Sequence, residues 1–510
     1  TSNISGTLAP TVFNNTGTLT LGNSAADTLS FAGGLTATSP STINAAGQIS
    51  TSGLSAINLG DATVGSATGV TLTDDVVLST AGGNLNINGA VNGTTSNTQS
   101  LTLNATSAGT VSVTSTVGQT TSLKTLTLTN SNGATFTSGV TAATSVVLSN
   151  TAAGQSITFA DNLSTPTLTT TGNGYNLALL GSTSNISGTL APTVFNNTGT
   201  LTLGNSAADT LSFAGGLTAT SPSTINAAGQ ISTSGLSAIN LGDATVGSAT
   251  GVTLTDDVVL TTAGGNLNIN GAVNGTTVNT QSLTLNATSA GTVSVTSTMG
   301  QTTSLKTLTI THSNGATFTS GVTTGTSVVL SNTTSGQTIT FADNLSTPTL
   351  TTTANGYNLA LLGGTTNVTN ALAPTVFSNT GILTLGNSAT DTLSFSGGIT
   401  ATAPSSINAA GQISTSGVGI INLGDATVGS ATGVTLTDDV VLSTSGGNLN
   451  INGAVNGTTA NTQSLTLNAT SAGTVSVTST LGQTTSLKTL TLTHSNGATF
   501  ASAVKADTSV

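Results

Sequence analysis

The sequence predicts an all-β chain of parallel β-solenoid type, and three observations carry the prediction. The composition is polar but nearly uncharged, with aliphatic residues in regular places. Apolar residues alternate with Thr or Ser at period 2. Paired strands restart roughly every 20–25 residues along the chain.

Composition separates a folded array from a disordered chain. Thr, Ser, Gly, Asn and Ala dominate, charged residues make up 4%, and Arg, Glu, Cys and Trp are absent. Disordered polar chains are usually charged and Pro-rich. This one is 35% hydrophobic with only 8 Pro, and its mean hydropathy is +0.26. At 510 residues a single core would be unusually large, which favours a repeat array.

A long repeat is plain. The run TSNISGTLAPTVFNNTG at Thr1 returns at Thr183, and Pro10 recurs as Pro192 and Pro374. The period is therefore 182, from 192 − 10 and from 374 − 192 alike. The copies are residues 1–182, 183–364 and a partial third, 365–510, expected to run as one continuous solenoid. Where copies differ, Val117 becomes Met299 and Leu481, Leu35 becomes Ile399, and Leu128 becomes Ile310. Those exchanges keep volume and apolarity, as buried positions demand. Ser96, by contrast, becomes Val278 and Ala460, which marks surface.

Inside a copy, Leu19-Thr20-Leu21 precedes Leu29-Ser30-Phe31, and Leu101-Thr102-Leu103 precedes Val111-Ser112-Val113. Leu126-Thr127-Leu128 likewise precedes Ala134-Thr135-Phe136, and Val146-Val147-Leu148 precedes Ile157-Thr158-Phe159. Branched Thr and Val suit a pleated surface. Asn88-Gly89, Asn92-Gly93, Asn132-Gly133 and Asn173-Gly174 supply turns. No capped stripe of period 3.6 is present, so no helix is expected. Pairs restart at offsets of 25 and 20 (126 − 101 and 146 − 126), which fits one coil each and roughly eight coils per copy. Inward Leu, Val, Ile and Phe would stack, including Phe13, Phe31, Phe136 and Phe159. The competing architecture, a string of β-sandwiches, wants aromatic anchors and linkers. Aromatics are only 3%, which also argues against a membrane barrel with its aromatic girdles.

The run Gly109 to Val140, GTVSVTSTVGQTTSLKTLTLTNSNGATFTSGV, and GGNLNINGAVNG from Gly82 to Gly93 resemble repeats of filamentous-haemagglutinin-like and giant autotransporter-type bacterial adhesins. The resemblance implies a right-handed parallel β-helix displayed as a secreted surface stalk. The N-terminal secretion domain of such families is not visible in these residues.

Charge and chemistry narrow the function further. The net charge of −11 leaves nothing basic to neutralise phosphates, so no nucleic-acid partner is expected. Absent Cys removes disulfides and thiol chemistry and suits secretion. No apolar run reaches the roughly 18 residues that would suggest a membrane helix. Thr1 already lies within a repeat, as in a segment of a longer protein. His312 and His494 stand where the first copy has Asn130, before Ser-Asn-Gly turns, and read as solvated. Lys124, Lys306 and Lys488 recur once per copy, either exposed or, with an Asn or Asp, able to form an isopeptide link. Each full copy carries Asp27, Asp61, Asp74, Asp75 and Asp161 or their equivalents. The adjacent pair Asp74 and Asp75, after a strand, are the candidate ligands for a structural Ca²⁺, which takes oxygen ligands in irregular geometry. Neighbours on a strand point apart, however, and the nonapeptides of calcium-binding β-rolls are missing. A glycosidase pair would need flanking aromatics, and only Tyr175 and Tyr357 are polar aromatics. The expectation is therefore a non-enzymatic chain without cofactor: a spacer in an extracellular bacterial fibre or adhesin stalk, self-associating or continued in a longer array, and meeting a neighbouring cell or surface. A surface-layer lattice protein and a glycan-binding module are the alternatives.

Overall fold

Alternation decides which side of each strand is buried, and the backbone ladder decides what lies above and below it. The computed structural model describes residues 1–63, 68–245, 250–427 and 432–510. They fall into two compact units, residues 1–258 and 259–510, whose division does not follow the sequence copies. Each unit is a parallel β-solenoid, and no helix occurs among the described residues.

In residues 1–258 three ladders run up the stack. The first carries Leu35, Ile57, Leu85, Val111, Ala134, Ile157, Leu177 and Leu201 in register. The second carries Leu19, Ile43, Val70, Val91, Val117, Val140 and Leu163. The third carries Leu29, Ile49, Leu78, Leu103, Leu128 and Leu148. The coils are thus three-sided, with the inward rungs almost fully buried apart from half-buried Leu29, and mostly Thr, Ser or Asn between them facing out. Phe136 lies flat on Phe159, ring centroids 4.8 Å apart at 6°, the spacing of neighbouring strands. Val117, Leu35 and Leu128 are buried, whereas Ser96 and Val278 are exposed, as the exchanges between copies predict.

Several expectations need correction. The chain distance from one rung to the next runs from 20 (Ile157 to Leu177) to 29 (Ile49 to Leu78). That range is wider than the sequence rhythm suggests, because corners differ in width. Each coil has a third side that the paired runs do not announce: Val91–Gly93 is a strand, and Val117 is a lone rung bridged to Val91 and to Val140. Asn92-Gly93 is therefore strand, not turn, templated by Val70–Leu72 beneath it. Phe13 is only half-buried. Leu492, the counterpart of Leu128, is 41% exposed, because no strand among these residues pairs above it.

The repeat does not close on the coil. Seven turns carry the first ladder from Leu35 to Leu201, and two further sides bring the chain to Leu217, the counterpart of Leu35. Leu217 pairs with Thr193 below and Ile239 above, outside the ladder of Leu35. A copy thus spans 23 sides, one short of eight turns. Residues 259–510 repeat the behaviour: Leu283 stacks with Leu308, Val328 and Leu350, while its counterpart Leu465 stacks with Val440 on another side.

Candidate functional site

The acidic corner between the second and third ladders is built from four coils of unequal width. The lowest turns through residues 22–27. The next turns on Ala46 and Gly47 alone, inside the strand Thr42–Thr51. Gly47 takes φ +80°, and a Cβ there would lie 2.4 Å from the Asp27 carbonyl oxygen, so only glycine fits. Above it, Thr73, Asp74 and Asp75 oppose Ala46 as a bulge within Gly69–Ser79. The fourth corner is the loop 94–100, laced by Gln99, whose Nε2 donates to Thr94 Oγ1.

This unevenness explains the acids. The recessed Gly47 corner leaves a gap that Asp74 spans: its Oδ2 accepts the Ala25 N–H at 2.8 Å, two coils below. Its Oδ1 accepts the Asp75 N–H at 2.8 Å. Asp75 reaches the other way, Oδ1 accepting the Ser100 N–H at 2.7 Å. Asp27 closes its own turn, Oδ2 accepting from Asn23 and Ser24 at 2.9 and 3.2 Å. The pattern recurs with Asp256 on Ala207 and Asp438 on Ala389, at 2.8 and 2.9 Å. Backbone donors at Ala25 and Asp75 hold the Asp74 carboxyl below its ordinary range. The Thr63 hydroxyl and N–H do the same for Asp61.

Asp74 and Asp75 are neighbours in sequence, but their carboxylates are spent on backbone donors in different coils. Among the described residues no group of three His, Cys, Asp or Glu could hold a metal ion. Three of the pair's four carboxylate oxygens accept backbone hydrogen bonds. The pair acts as a staple between coils.

The other candidates stay apart. His312 and His494 are exposed, and the His312 carbonyl accepts from the Ala287 N–H in ordinary ladder fashion. Lys124, Lys306 and Lys488 are exposed. Tyr175 and Tyr357 are buried inside, each hydroxyl accepting a backbone N–H four residues earlier in its own coil (Thr171 or Thr353) and donating to a carbonyl (Leu148 or Leu330). They offer no ring to a sugar. Nothing in the sequence marks Asn197 and Asn379, buried with Oδ1 unpartnered, or the unpaired Thr366 hydroxyl. Polar residues are too common here for burial to stand out.

No protein-family model, curated protein or solved structure matches the chain.

Proposed function

We propose that the chain is a structural spacer, a repeat segment of a secreted bacterial surface fibre or adhesin stalk of the filamentous-haemagglutinin-like kind. One observation supports this reading: its carboxylates at the corner hold backbone donors of neighbouring coils, while its histidines and the lysines that recur once per copy stand exposed. What duplication adds to such a chain is length, because each coil depends only on its neighbours. The outward rows of Thr, Ser and Asn keep that length soluble without charge. The acidic, Cys-free composition suits export and the cell exterior.

The test is deletion of residues 183–364, one full copy. It joins two points with the same local path and removes seven and two-thirds coils, about 37 Å of stack. A spacer keeps its fold and its display on the cell surface and loses contact at a distance in proportion to the lost length. A glycan-binding module would lose one discrete affinity. A lattice protein would lose its array outright, and either outcome overturns the spacer.

A further inference from the structure

The inward rungs of the third ladder are aliphatic from Leu29 to Leu148, and the next one is not. Leu148 stacks under Thr170, and in residues 259–510 Leu330 stacks under Thr352. Both threonines are buried. A buried hydroxyl is costly unless hydrogen-bonded, and these two take their partners from the ladder itself. Thr170 Oγ1 accepts the Asn196 N–H at 2.7 Å and donates to Val194 O at 3.2 Å. Thr352 Oγ1 accepts the Ser378 N–H at 2.7 Å and donates to Val376 O at 3.3 Å. Two coils below, the corresponding N–H groups of Ser149 and Ser331 donate straight to the backbone oxygens of Leu128 and Ile310, both at 2.9 Å. A side chain thus stands where backbone meets backbone lower in the stack.

The strands part accordingly. Thr167–Thr170 and Thr193–Val194 lie one above the other with no ladder between them. A groove of about 360 Å³ opens there, between residues 166–169 and 190–193. Its counterpart in residues 259–510, between 348–352 and 373–376, holds about 270 Å³. Pro166 and Pro192 on the rims, like Pro348 and Pro374, have no N–H to offer a ladder. The other two sides of the same interface are closed. Ser164 and Thr165 pair with Asn185 and Ile186, and residues 177–179 with 201–203. In the second unit, residues 345–347 pair with 366–368, and 359–361 with 383–385. One open side against two laddered ones is the geometry of a hinge.

We propose that this level is a built-in joint of the solenoid, held open by the inserted threonine hydroxyl, one in residues 1–258 and one in residues 259–510. Local opening costs least where the fewest backbone bonds must break, and here one side of three has a hydroxyl bridge in place of a ladder. The two laddered sides are the pivot, and the groove is the clearance for the swing. The joint recurs at the copy period, 352 − 170 = 182. A chain lengthened by whole copies therefore gains a yielding point with each one. The inference takes the spacer reading further and rests on it for purpose, not for geometry.

Amide hydrogen exchange of the 510-residue chain, read residue by residue against intrinsic rates, tests it. In the parent the Asn196 and Ser378 amides should exchange at least about tenfold faster than those of Ser149 and Ser331. Thr170→Val with Thr352→Val keeps the side-chain shape and removes the hydroxyl, so backbone can close on backbone. Asn196 and Ser378 should then slow to the rates of Ser149 and Ser331. Thr170→Ser with Thr352→Ser keeps the hydroxyl and should exchange like the parent. If the valine chain loses its fold by circular dichroism, the parent rates alone decide. Equal protection of all four amides in the parent overturns the proposal. So does a folded valine chain whose Asn196 and Ser378 exchange as fast as in the parent or faster, because the gap would then be set by something other than the hydroxyl. Equal protection together with reach lost on deletion of residues 183–364 removes the joint and leaves the spacer. Fast exchange at Asn196 and Ser378 with reach unaffected by the deletion does the reverse.

Discussion

Thr366 occupies an inward rung between Leu345 and Leu393, and its hydroxyl has no partner. Its counterpart Ser184 accepts the Leu163 N–H at 3.2 Å. An orphaned buried hydroxyl costs its desolvation, so Thr366→Val, of the same shape, should stabilise by about 1 kcal/mol. Urea denaturation should show a raised midpoint; a lowered one would mean a hidden partner. Tyr357 makes a second test. Burial pushes its phenol up to about 12, against about 10 in the unfolded chain. A raised pKa means that stability is complete below about pH 10 and drains away as pH climbs toward 12. Tyr357→Phe should flatten that alkaline arm relative to the parent. Asp74 has the opposite sign: its lowered pKa keeps its contribution above about pH 4, to be lost as pH falls further.

At the scale of the element, the corner is where stacked strands stop explaining themselves. Asp75→Ala removes the acceptor of the Ser100 N–H, whereas Asp75→Asn keeps an oxygen there. Amide exchange at Ser100 should quicken by roughly an order of magnitude in the Ala variant and little in the Asn variant, about 1 kcal/mol for a surface hydrogen bond. Equal exchange in the two variants would show that charge, not hydrogen bonding, does the stapling. The ladders themselves were legible. Leu101, Leu126 and Val146 align as their spacing says, and so do Val111, Ala134 and Ile157. The third side was not, because a strand such as Val91–Gly93 borrows its shape from the coil below rather than from alternation. That Asp74 and Asp75 point apart was legible from strand alternation, but not that one reaches the Ala25 N–H two coils away and the other the Ser100 N–H. Those partners follow from the narrow corner at Ala46 and Gly47, which is set by the neighbouring coils.

For the molecule as a whole, stability should behave as a sum over coils and their interfaces. Deleting residues 183–364 should therefore leave the denaturation midpoint of the remaining coils nearly unchanged. A fall of several molar in urea would mean that the excised copy held something its neighbours need. Function was less legible than fold for a physical reason. A solenoid uses the same residues, Thr, Ser, Asn and aliphatics, whether a surface is idle or engaged. Thr170 looks like any other threonine until the ladder shows it standing inward above Leu148.

A copy that stops one side short of eight turns also works as an index. Each whole copy gained or lost by recombination between near-identical stretches leaves every rung with an acceptable neighbour, so folding does not object. Yet it moves each counterpart residue to the neighbouring side of the coil, and only a change of three whole copies returns it to its original side. Copy number in such a chain therefore sets two quantities at once, how many coils it adds and which side of the coil each repeated residue occupies. A lineage that changes the first by unequal exchange inherits a change in the second without altering a single residue.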